Sequence, residues 1–168
     1  MITVNYDIIK QDSFSRKGIF LCLLSIGVIG LLVRMYFEPA TALTGDATNY
    51  FAYAVDTGLK GKLSDVYFLG NSGWSLLLSA FFSMTKYDDP LFLMELQRSL
   101  SIFISVVTII PVYFLCRRFF NQSYSLIGAS LFLFQPHIII NSSLGITEPL
   151  FLFLGISSLT LFLNNNHK

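Results

Sequence analysis

Charge is what this chain has least of. Only 12% of its 168 residues are Asp, Glu, Lys or Arg, whereas just over half are hydrophobic and 17 are Phe. A soluble domain carries about a quarter of its residues as charges, so a surface wetted on all sides is excluded. The net charge is +1, which offers nucleic acid no basic surface. Two cysteines, Cys22 and Cys116, fall in separate apolar runs. Buried thiols acting as small hydrophobes suit them better than a disulfide. Zinc-type spacing, a Walker loop, a dinucleotide fingerprint and internal repeats are all missing.

What is present is a series of long apolar runs without polar alternation, the pattern of membrane helices. The expected fold is an all-α membrane protein of about four transmembrane helices, with short interfacial helices in the first extracytoplasmic loop. Residues 1–17 read as a cytoplasmic N-terminus and 18–37 as the first span. That run is too long for a secretory core, and Arg34-Met35-Tyr36-Phe37 lacks a small-residue cleavage site. Residues 38–95 read as the external loop. Within it, 46–55 is a short helix ending near Thr57-Gly58, where glycine takes a left-handed cap, and 72–84 is an apolar helix too short to cross. Further spans are expected at 96–116, kinked by Pro111, at 124–140 and at 149–163, before a cytoplasmic tail, 164–168.

Lys10, Arg16, Lys17, Arg117, Arg118 and Lys168 then share one side. Glu38, Asp46, Asp56, Asp65, Asp88, Asp89, Glu95 and Glu148 share the other. Positive charge marks the cytoplasmic face, so both termini are expected inside and the long loop outside.

Asp46 follows the first span within Gly45-Asp46-Ala47-Thr48-Asn49-Tyr50, and Glu148 stands at another external turn. Two carboxylates at one water–lipid boundary suit an enzyme that activates a hydroxyl beside a lipid-anchored substrate. Each acid also has a plain structural use. Aspartate is a preferred N-cap, and Thr147-Glu148-Pro149 has the form of a helix start. Tyr50 and Tyr53 share a helical face with Asp46 and either line an acceptor site or anchor at the interface. Trp74 has the same two uses, with anchoring the plainer. Arg34 and Arg98 flank the outer ends of the first two spans, to pair with a lipid phosphate or to snorkel toward headgroups. His137, beside Pro136, reads as a packed or backbone-bonded histidine sooner than as a ligand.

Several pieces occur in an order that resembles one family. They are Arg34-Met35-Tyr36-Phe37, Gly45-Asp46-Ala47 with Tyr50, and Asn71-Ser72-Gly73-Trp74-Ser75-Leu76-Leu77-Leu78, with serine in place of a usual proline. Arg117-Arg118-Phe119-Phe120, Gln135-Pro136-His137 and Ile146-Thr147-Glu148-Pro149-Leu150 follow. Together they resemble the C-type membrane glycosyltransferases, in particular the dolichyl-phosphate-mannose protein mannosyltransferase and aminoarabinose-transferase branch.

The resemblance implies transfer of a sugar from a polyprenyl phosphate to a hydroxyl or amine, with inversion. It makes Asp46 the general base. Glu148 would orient the acceptor or share a divalent cation with Asp46, since hard cations favour carboxylate oxygens. Tyr50, Tyr53, Arg34, Arg98 and Trp74 fall to substrate binding. Family members are several times longer, so the chain is expected to be an N-terminal portion, with a second chain or further segment supplying the remaining helices. The alternative is a non-catalytic membrane protein that binds lipid-linked sugar or assists a partner. The expected partners are thus a polyprenyl-phosphate-linked sugar and membrane lipid, not nucleic acid.

Overall fold

The structure, a computed structural model, describes residues 14–37, 43, 45–63, 72–85 and 89–165. Most of the expected N-terminal segment and the end of the tail lie outside the described residues, as do Lys10, Glu38, Asp65, Asn71, Asp88 and Lys168. Every regular element among the described residues is an α-helix. They are α1 Arg16–Tyr36, α2 Asp46–Lys60, α3 Ser72–Met84, α4 Pro90–Val107, α5 Ile109–Arg117, α6 Gln122–Leu133, α7 Pro136–Ser143 and α8 Glu148–Asn165.

Helix starts follow local chemistry. The Ser15 hydroxyl accepts from the Gly18 N–H at 3.1 Å and opens α1. Asn121 accepts from Tyr124 at 3.0 Å and opens α6. Asp89 accepts from Leu91 at 2.9 Å ahead of Pro90, which fills the first helical position where no amide is needed. The second span therefore begins at Pro90 and not near residue 96. Helices α4 and α5 form one rod of 28 residues, Pro90–Arg117. At ~1.5 Å per residue it is about 42 Å long, so it exceeds a hydrocarbon core of about 30 Å. The joint at Thr108 reflects Pro111, which has no N–H for the Val107 carbonyl. Thr108 nevertheless keeps helical angles (φ −59°, ψ −18°).

Two expectations are corrected here. Helix α2 does not stop at Thr57-Gly58 but continues to Lys60 and closes on Gly61, at φ +65°. The run 124–140 is not one straight helix either. Pro136 bars its predecessor from helical angles, Gln135 takes φ −66° and ψ 126°, and α7 leaves α6 at 50°. The Gln135 side chain then caps α7 by accepting from Ile138 at 2.8 Å. Two helices, α1 and α4–α5, are long and apolar enough to cross a membrane, or three if α6–α7 counts as one span. Helix α8 is apolar but falls short of that length.

A broken helix inside an apolar bundle leaves carbonyls without partners, which is costly where water is excluded. Leu133, whose helical partner would be the N–H of residue 137, is one of them. Arg34 answers it. Its Nη2 donates to the Leu133 carbonyl and to Ser105 Oγ, its Nε to Ser142 Oγ and its Nη1 to the Gly30 carbonyl, all at 3.0 Å. The side chain is fully buried. Snorkelling from the end of the first span is therefore corrected: the guanidinium turns inward. Gly30 makes the approach possible, because a Cβ there would lie 2.5 Å from Leu133 Cδ2.

Two apolar cores result. In one, Trp74, Leu78 and Phe82 form a single stripe of α3 packed on Tyr50 and Ala54 of α2 and on Leu93 of α4. In the other, Ile109, Val112 and Tyr113 of α5 meet Leu126, Ala129 and Leu133 of α6, with Cys22 and Cys116 at the margin. Both thiols are free.

Replacing Gly30 by Leu is expected to cost about 1–3 kcal/mol by overpacking, read as a lower unfolding midpoint in detergent. Gly155→Ala, where a Cβ meets nothing within 4 Å, should be neutral or gain up to about 1 kcal/mol. Arg34→Lys offers three donors to four acceptors, so a loss of about 1–3 kcal/mol is expected in the same measurement.

Candidate functional site at the Asp46–Glu148 end

Gln97, Ser101 and Ser105 of α4 and Thr108 at its joint with α5 lie along one face, and all four are at most 2% exposed. Sequence reasoning missed this polar stripe. Its signal was helical spacing of polar residues inside an otherwise apolar run.

Gln97 is where the stripe meets the two acidic turns. Its Nε2 donates to the Ala47 carbonyl at 3.0 Å and to the Gly145 carbonyl at 2.8 Å. The Trp74 indole donates to the same Gly145 oxygen at 3.1 Å. Gly145 has φ +74°, a left-handed conformation that disfavours a side chain. A Cβ there would reach ordinary van der Waals contact with Gln97 Cγ (3.4 Å), Leu43 Cδ2 (3.5 Å) and Arg98 Cα (3.6 Å), so the backbone angle and not space selects glycine. One amide thus ties the first turn of α2 to the turn that leads into α8.

Asp46 is the first residue of α2 and is exposed. The N-cap position belongs to Gly45, which makes no side-chain cap bond, so the expected aspartate cap is corrected to a first-turn acid. There the helix dipole still favours its negative charge. Glu148 is likewise the first residue of α8, and exposed. No hydrogen bond or ion pair joins the two acids among the described residues. Glu148 lines a cavity of about 10 Å³ with Ser105, Thr108 and Asn141, enough for roughly one water. Asp46 is not in that lining.

The remaining candidates are structural in their placement. Tyr50 and Tyr53 are both buried, and Tyr50 packs in the α2–α3 core. Trp74 is 1% exposed, which corrects the interfacial anchor to a packed indole held by Gly145. Arg98 is buried with Nη1 donating to Glu95 Oε1 at 3.1 Å, so it does not snorkel either. His137 is exposed in the first turn of α7, not packed. No group of three or more His, Cys, Asp or Glu stands ready for a metal among the described residues.

The other end of the rod is basic. Arg16, Arg117 and Gln122 line one groove there, and Arg117, Arg118 and Asn164 another. Gln97 and Arg117 are about 30 Å apart along the helical rise. No protein-family model, curated protein or solved structure matches the chain.

Gln97→Leu should remove the amide bonds to the Ala47 and Gly145 carbonyls, leaving Gly145 to the Trp74 indole, and cost about 1–3 kcal/mol. Faster proteolytic cutting near Gly45 and Gly145 than in wild type is the readout, with cutting near Asn121 unchanged.

Proposed function

We propose that the chain is the N-terminal portion of a membrane glycosyltransferase, moving a sugar from a polyprenyl phosphate to an extracytoplasmic acceptor with inversion. The reading rests on one observation above all. Gln97 holds the helix start bearing Asp46 and the turn before Glu148 at the same end of the bundle, each with an exposed carboxylate. The basic cluster at the opposite end supports a cytoplasmic location for Arg16, Arg117 and Arg118 and for both termini.

In this reading the bent α6–α7 pair makes the third span and α8 the fourth. The 18 residues of α8 rise about 27 Å, close to the core thickness of about 30 Å. Asp46 takes the proton from the acceptor hydroxyl as its oxygen attacks the anomeric carbon. The bond from that carbon to the phosphate oxygen breaks on the opposite face, and the phosphate leaves as an anion that positive charge must stabilise. Glu148 orients the acceptor or shares a divalent cation with Asp46. A cavity of about 10 Å³ cannot hold a sugar, so the remaining walls come from further helices in the same or a second chain.

A second reading is a non-catalytic membrane protein that binds lipid-linked sugar or assists a partner. It is favoured by the packing duties of Tyr50, Tyr53, Trp74 and Arg34, which withdraw them from any substrate.

The deciding measurement is sugar transfer from a polyprenyl-phosphate donor in membranes holding the chain with its remaining helices. Asp46→Asn is expected to lower transfer on the order of 10²–10⁴-fold while costing stability no more than a first-turn charge contributes, about 0.3–1 kcal/mol, since the side chain is exposed. Undiminished transfer removes Asp46 as base. Donor binding without transfer, equal in wild type and Asp46→Asn, establishes the second reading.

A further inference from the structure

A groove of about 770 Å³ runs between α1 and the α4–α5 rod. On α1 its wall follows residues 16, 19, 20, 23, 24, 27, 28 and 31, one helical stripe. That stripe rises about 22 Å, more than one leaflet of a core about 30 Å thick. Leu24, Val28, Phe103 and Ile110 stand in the walls and are exposed there. Among the described residues, no acidic side chain lines it.

The groove is not uniform. It is apolar along its length and closes at one end on Arg16, Arg117 and Gln122. Gln122 accepts from the Phe14 N–H through Oε1 at 2.9 Å, which leaves its Nε2 as a donor. The neighbouring cavities repeat the pairing: Arg117 and Arg118 stand beside Leu161 and Leu163, and Arg16 and Lys17 beside Phe20 and Leu21. A packed helix from another chain would need an apolar seam to its end. A chain of methylenes under a negative headgroup needs this arrangement instead.

We propose that the groove between α1 and α4–α5 binds one acyl chain of an anionic membrane phospholipid, whose phosphate is held by Arg16, Arg117 and Gln122. The site lies at the end of the rod remote from Asp46 and Glu148. It requires the chain to stand in a bilayer but not that it transfer sugar, so either proposal can fail alone. Arginine forks suit phosphate oxygens, and two cations at the headgroup layer select charged over neutral lipid. The apolar wall supplies retention without headgroup preference.

The full chain is reconstituted in vesicles of phosphatidylcholine and phosphatidylglycerol in equal parts, extracted gently, and weighed with its bound lipid by native mass spectrometry. Phosphatidylglycerol should be retained over phosphatidylcholine on the order of tenfold. Arg16→Gln with Arg117→Gln should reduce that preference to parity. Leu24→Trp, which fills the groove and leaves both arginines in place, should lower retention of both lipids while the helical circular dichroism is kept. Equal retention of the two lipids by wild type, or retention unaffected by Leu24→Trp, overturns the proposal. So does efficient disulfide dimerisation of Val28→Cys in the same vesicles, which assigns the groove to a second copy of the chain.

Discussion

The guanidinium of Arg34 sits where four pieces of chain have to meet. It reaches its own helix at Gly30, the central rod at Ser105, the end of α6 at Leu133 and the short α7 at Ser142. A cation away from water is unfavourable unless its donors are engaged, and hydrogen bonds to charged groups are among the stronger ones. Four of its five N–H groups are satisfied by neutral oxygens. The same contacts satisfy a carbonyl that the Gln135-Pro136 break had released. The bend of α6–α7 and the depth of α1 are thus two sides of one arrangement, and Gly30 is the close approach that permits it.

From that fixed centre the two ends diverge in chemistry. Toward one end the polar stripe of α4 leads from Ser105 to Gln97, and Gln97 gathers the start of α2 and the Gly145 turn. Toward the other, α5 carries the rod to Arg117 beside Arg16 and Gln122. Polar groups inside the bundle act mainly on the backbone: Gln97, Trp74 and Arg34 all donate to carbonyls of turns or broken helices. They hold irregular chain in place so that Asp46 and Glu148 can stand at exposed helix starts.

Local signals carried the legible part of this fold. The apolar runs gave helices, and Ser72–Met84 lies where its run placed it. The first span needed only its length and flanks. What the sequence hid depends on distant partners. Arg34 at the end of an apolar run looks like a snorkelling residue until Ser105, Leu133 and Ser142 stand around it. Tyr50 and Trp74 look like interfacial aromatics until α3 packs on α2. Gln135-Pro136-His137 was read as a family mark, although proline's effect on its predecessor already forecast a break. The places of Asp46 and Glu148 at or beside helix starts were legible. The amide that links their turns was not, because Gln97 lay inside a run read only for its apolarity.

The separations in the Arg34 contacts have a consequence for how the protein is made. The oxygens of Ser105, Leu133 and Ser142 lie 71, 99 and 108 residues further along the chain. When the first hydrophobic stretch leaves the ribosome, none of them exists yet. Until then the arginine's donors must find other partners, and its four contacts are complete only when Ser142 of α7 arrives. The surroundings of the first helix are therefore completed only by residues translated long after it.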